Sequence, residues 1–170
     1  TYAGLSSLYQ GKKEQAKEYI DSANQISSES VYGQIGKAYL VNTAEEAEKA
    51  LRLLDSLIAY APDIADTYLL KAYLLQGSKQ YLKSAKAFEK YLEIRPQELQ
   101  TLFFIAQNYL SAGETEQASK FVAKVMKASG GNNALANQMQ AQIEFDKKNY
   151  SLAQEYGIKA YQLNNNLVNS

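Results

Sequence analysis

Three groups of residues in this sequence are of types that can do chemistry. Glu45, Glu46 and Glu48 gather three carboxylates within one helical turn. Paired carboxylates transfer protons only when they reach a substrate together, across a pocket. Here they follow Thr43 in Thr43-Ala44-Glu45-Glu46, a capping box that starts a helix, where negative charge complements the helix dipole. Gly33-x-x-Gly36 and Gly130-Gly131 supply glycine pairs, but neither has the spacing or the lysine of a phosphate-binding loop. They read as a thin-walled helix and a linker. The third group is basic. Lys79, Lys83, Lys86 and Lys90 recur at helical spacing, and Lys120, Lys124 and Lys127, with Lys49 and Arg52, extend the stripe to other helices. Such a ridge could hold anionic lipid, polysaccharide or nucleic acid. No aromatics are interleaved with it, so it reads as a solvated face and nucleic acid is not an expected partner.

Composition narrows the chemistry further. The chain of 170 residues has no His and no Cys, which removes the usual general base, the commonest metal ligand, thiolate zinc sites and cysteine nucleophiles. No enzyme activity, cofactor or metal is expected. Lys plus Arg and Asp plus Glu are 18 each, so no net field draws in a charged partner. Hydrophobic residues make up 46%, enough for a core. No apolar run approaches the roughly 20 residues of a membrane span. The sequence starts at Thr1, so a trimmed terminus leaves cytoplasm and periplasm or envelope both open as locations. Two prolines in the whole chain favour long helices.

The elements that carry these residues repeat. Lys37-Ala38-Tyr39-Leu40 recurs as Lys71-Ala72-Tyr73-Leu74, 34 positions on, and Pro62 and Pro96 share the same offset. The period divides the chain into units 31–64, 65–98, 99–132 and, one residue late after Gly130-Gly131-Asn132-Asn133, 134–167, with an incomplete unit over 1–30. Each unit reads as two helices. The first carries a small residue at Gly4, Ala38, Ala72, Ala106 and Ala141, the second at Ala16, Ala50, Ser84, Ala118 and Ala153. Four positions further stands a bulky one in Ile20, Leu54, Phe88 and Val122, with Gly157 in the fifth unit. Residues four apart share a helix face, so small and large sites predict close-packed antiparallel helices. Gly11, Gly77-Ser78 and Gly113 mark the turns.

This pattern resembles the tetratricopeptide repeat. Unit three supplies Tyr68, Ala72, Leu75, Tyr81, Ser84, Phe88 and Pro96, and unit four supplies Ala106, Tyr109, Gly113, Ala118 and Val122, with Gly130 in place of the closing proline. Two departures stand out: Lys37 and Lys71 where leucine is usual, and Gly157, which should weaken the fifth unit. The resemblance implies an all-α, right-handed superhelical solenoid of antiparallel helix pairs, about five repeats cut from a longer chain and forming a single domain over 1–170. It also implies a scaffold that binds a peptide or helix of a protein partner without catalysis.

On that family's plan, first helices line the concave groove. The inward places are then Leu5, Leu8 and Tyr9 from unit one and Tyr32, Ile35, Tyr39 and Asn42 from unit two. Unit three gives Leu69, Tyr73 and Gln76, unit four Phe103, Gln107 and Leu110, and unit five Gln138, Gln142 and Phe145. The groove should be aromatic and amide-bearing, with Asp66 and Asp146 its only charges. The Lys, Asn and Arg clamp with which some members hold a chaperone's terminal carboxylate is absent: its places hold Ile35, Tyr39, Leu69 and Tyr73. The alternative reading is a structural module of a larger envelope-associated assembly, forming a homodimer through uncapped end repeats.

Overall fold

The computed structural model describes residues 18, 21–22, 31–39, 44–96 and 98–168. Among the described residues there are eight helices and no strand: α1 Val31–Tyr39, α2 Ala44–Tyr60, α3 Ala65–Gly77, α4 Tyr81–Ile94, α5 Leu99–Ser111, α6 Thr115–Ala128, α7 Ala134–Asp146 and α8 Tyr150–Val168. In chain order they fall two to a repeat. By internal contacts the chain divides into two compact units, Thr1–Ser78 and Lys79–Ser170, and the division falls in the turn between the two helices of the 65–98 repeat. The first unit contains α1 to α3, the second α4 to α8. Gly4, Leu5, Leu8, Tyr9, Gly11, Ala16, Ile20, Asn42 and Thr43 lie outside the described residues.

In the first unit α1, α2 and α3 all pack on one another. Their core is Ile35, Ala38, Ala50, Leu54, Leu57 and Leu70, with Leu53, Ile64 and Leu74 at its margin. The small sites Ala38 and Ala50 are where the backbones approach, and Leu54 fills the space beside them. Lys71, which stands where leucine is usual, keeps a polar role: its ammonium pairs with Asp55 and so ties α3 to α2.

In the second unit each helix packs on the next, and the first helices α5 and α7 also touch. The sites marked by the repeat are buried: Ser84 and Phe88 on α4, Ala106 on α5, Ala118 and Val122 on α6. Phe88 stacks on Phe104 of α5, with centroids 5.4 Å apart, and Tyr109 on Phe121 of α6 at 5.9 Å. Burying each such ring stabilises the stack by about 1.5–3 kcal/mol. Ala141 and Ala153, in the same series, are only half-buried.

The turns explain how the repeats stay in step. The residue that reverses the chain between first and second helix has a positive φ in all three described turns of this kind: Lys79 at 57°, Gly113 at 78° and Lys148 at 64°. Only Gly113 adopts this conformation freely. Gly77-Ser78 marks its turn, but the left-handed residue is Lys79. Between α6 and α7 the extra residue of the longer connection is taken up by Gly130 and Gly131, at φ 57° and 75°. The Asn133 side chain caps α7 by accepting from the Ala136 N–H at 3.0 Å. The buried Asn137 amide donates to the carbonyls of Gly131 and Asn133 at 2.9 and 2.7 Å, which closes the loop onto the helix.

Candidate partner-binding face

Most of the carboxylate and lysine groups engage neighbours about one turn away. Glu45 accepts from Lys49 at 2.6 Å, and Glu48 faces Arg52 at 3.5 Å, each pair one turn apart on exposed α2. Lys83 donates to Gln80, Lys90 to Glu93 and Lys120 to Gln117 on their own helices, and the Lys124 ammonium lies 4.7 Å above the Phe121 ring. Contacts of this exposed kind are worth well under about 1 kcal/mol each. Among the described residues no three His, Cys, Asp or Glu side chains gather as a metal site would require. No described helix is long and apolar enough to cross a membrane.

The first helices present a different surface. On α5, Ile105, Ala106 and Tyr109 point into the core, Phe103 and Leu110 are half-buried and Gln107 is exposed. On α7, Met139 and Ile143 are buried while Gln138, Gln142 and Phe145 are exposed. Because α5 and α7 touch, these side chains form one face of amides and aromatics. Its charge is low. Asp146 accepts from the Gln142 amide at 2.7 Å, so its carboxylate is already engaged. Where α7 meets α8 the face opens into a recess of about 500 Å³ lined by Gln138, Ala141, Gln142, Phe145, Tyr150, Ala153 and Gln154. The half-buried alanines of the repeat form its floor, and Phe145 and Tyr150 meet edge to face at 5.6 Å.

The first unit differs. Ile35 and Leu69, placed inward by the resemblance, are core residues: Ile35 is fully buried and Leu69 is buried on α3. With so little of either side chain exposed, neither offers surface to a ligand. Tyr73 and Gln76 are half-buried. The backbones of Tyr32 and Tyr39 lie in α1, their side chains outside what is described, as are Tyr9 and Asn42 altogether. Tyr150 and Gln154, on a second helix, join the recess although the sequence reading confined the groove to first helices. Their signal was the tight α7–α8 turn, which brings the first turn of α8 beside the end of α7.

A part-buried polar set ties the helices together. The Tyr109 hydroxyl donates to Glu89 Oε1 at 2.9 Å across α5 and α4, and Tyr91 donates to Glu98 Oε1 at 2.6 Å. Burial, reinforced by the bond to and charge of Glu89 and the charge of Glu114, pushes the Tyr109 phenol up to about 12. Glu144, buried on α7, accepts from the amides of Gln140 at 2.7 Å and Asn149 at 2.8 Å and so pins the α7–α8 turn.

These features define a helical-repeat protein whose units are helix–turn–helix pairs. Residues 65–98 match the family model for the tetratricopeptide repeat. TPR repeat-containing protein MJ1428 of Methanocaldococcus jannaschii is 24% identical over 157 residues, which cover 85% of this chain and 26% of that protein. The chain thus spans about a quarter of that relative's length. Among solved structures, MamA residues 41 to the end from Desulfovibrio magneticus RS-1 superposes with a TM-score of 0.76 at 15% identity, covering 96% of this chain and 92% of that one. A second MamA structure, MSR-1 C2, gives 0.77 at 16% identity over 96% and 93%. The likeness shows the fold. Residues 65–98 thus carry a tetratricopeptide repeat, and the chain has all-α, TPR-like helical solenoid architecture. That fold is one of protein–protein interaction scaffolds, which are generally non-enzymatic.

Proposed function

We propose that the chain binds a segment of a partner protein, an extended peptide or an amphipathic helix, along the exposed face of its first helices and without catalysis. One observation carries the reading: Gln107, Gln138, Gln142 and Phe145 are all exposed, on two first helices that touch. Amide side chains can satisfy the N–H and C=O groups of an incoming backbone, and the aromatic recess can take an apolar side chain at low entropy cost. The lysine ridge is the competing surface. Partners captured by the 170-residue chain and identified by mass spectrometry would be titrated calorimetrically against two variants. Gln107→Ala with Phe145→Ala should lose on the order of 1–3 kcal/mol of binding, and Lys83→Glu with Lys86→Glu almost none. The opposite order of losses would move the site to the ridge.

A further inference from the structure

The repeat sets lysines in register on two second helices. Lys86 of α4 and Lys120 of α6 hold one place, 34 positions apart, and Lys90 and Lys124 hold the place one turn further on. Lys79 and Lys83 lengthen the row at α4 and Lys127 the row at α6, and every one of these side chains is exposed. Both helices pack on α5 through their buried sides, where Phe88 and Phe121 stack on its rings. The charge of the rows is left uncompensated. On α2 each cation faces a carboxylate, Lys49 with Glu45 and Arg52 with Glu48. Of the lysines in the two rows, among the described residues, only Lys90 does so, with Glu93. Lys83 and Lys120 donate to the neutral amides of Gln80 and Gln117. Residues 79–170 hold 11 Lys and Arg against 8 Asp and Glu, and residues 1–78 hold 7 against 10, so the even balance of the chain conceals one basic unit.

We infer that the lysine rows of α4 and α6 seat the second unit on an anionic bilayer surface, as a peripheral contact with phospholipid headgroups. Lysine ammoniums are point charges on flexible stems, which suits headgroups that move laterally and offer no fixed pattern. Leu82 and Ile94, 38% and 36% exposed, flank Lys86 and Lys90 at four-residue spacing. Apolar side chains thus stand at both ends of the charged row, placed to enter the boundary between headgroups and acyl chains. Nucleic acid fits less well, because it is gripped by arginine forks and stacking rings, and these rows expose neither. A second copy offers no open acidic helix either, since Glu45 and Glu48 of α2 already face Lys49 and Arg52. The contact uses α4 and α6 and not the face of α5 and α7, so it does not rest on the partner-binding reading.

Vesicle flotation of the 170-residue chain tests this. The chain should float with vesicles of phosphatidylcholine mixed equally with phosphatidylserine and stay behind with phosphatidylcholine alone, and added salt should release it. Lys86→Gln with Lys120→Gln should weaken vesicle binding roughly tenfold or more, with an unchanged circular dichroism spectrum. Lys49→Gln with Arg52→Gln removes the same charge from α2 and should bind as the parent chain does. Leu82→Ser should weaken binding severalfold and leave its salt dependence in place. A single-stranded oligouridine, titrated by fluorescence anisotropy, should not bind at chain concentrations that saturate the mixed vesicles. No flotation with the mixed vesicles, or equal flotation with both kinds, would overturn the inference. So would equal losses from the two double variants, full binding by Leu82→Ser, or oligouridine binding at those concentrations.

Discussion

Tyr109 couples packing to protonation. Its ring stacks on Phe121 and its hydroxyl reaches Glu89, so one side chain links α4, α5 and α6. An unfolded tyrosine ionises near 10, whereas folded Tyr109 holds its proton to about 12. The native state therefore binds the proton more tightly. The resulting stabilisation is complete below pH 10 and is lost as pH rises through about 12. Tyr109→Phe should cost about 1 kcal/mol at neutral pH, through the lost hydrogen bond and the carboxylate it leaves behind. It should also flatten the fall in stability between pH 10 and 12, read by urea denaturation. An equally steep fall in the variant would mean that other groups carry it. Lys148 and Lys79 hold the left-handed backbone that Gly113 adopts without strain. Lys148→Gly should raise stability by up to about 1 kcal/mol, since a side chain in that region costs roughly 1–2 kcal/mol. A lowered melting midpoint would show that Lys148 makes compensating contacts.

At the scale of the helix, first and second members of a repeat are built differently. On α3, Ala65, Thr67, Leu69, Leu70, Ala72 and Leu75 are buried, almost all round the helix. On α6 only the stripe Ala118, Phe121, Val122 and Val125 is buried. A second helix packs through one side, so its apolar period is visible in the sequence, whereas a first helix is enclosed from several directions and its period fades. The small sites are where this matters most. Ala72 and Ala106 are fully buried. Ala106→Leu should force α5 away from its neighbours and cost roughly 1–3 kcal/mol, as should Ala72→Leu in the first unit. Unchanged melting midpoints in both would contradict close packing at these sites.

For the whole molecule, charge balance sets how it meets a partner. With 18 basic and 18 acidic residues there is no long-range attraction. Binding by the proposed amide and aromatic face would rest on apolar burial and local hydrogen bonds, which salt does not screen. Partner affinity should therefore change little between low and high ionic strength. A steep fall with added salt would indicate binding through lysines such as Lys83 and Lys86. Along the chain, the division into compact units 1–78 and 79–170 falls within a repeat and not between repeats. The sequence period alone would place a boundary at 64 or 98.

The 34-residue period, the helix pairs and the small and large places were all legible in the sequence. They arise from local rules: residues four apart share a face, and glycine and proline punctuate helices. The cores confirm those places at Ala38, Ala72, Ala106, Ser84 and Phe88. What covers each place was decided by tertiary packing. Ile35 and Leu69 occupy the same register as Phe103 and Gln138, yet the first two are buried, Phe103 is half-buried and Gln138 is exposed. Helical phase states the direction in which a side chain points, and only the neighbouring helix determines whether anything stands there. For the same reason the recess between α7 and α8 became visible only once Phe145 and Tyr150 had been brought together.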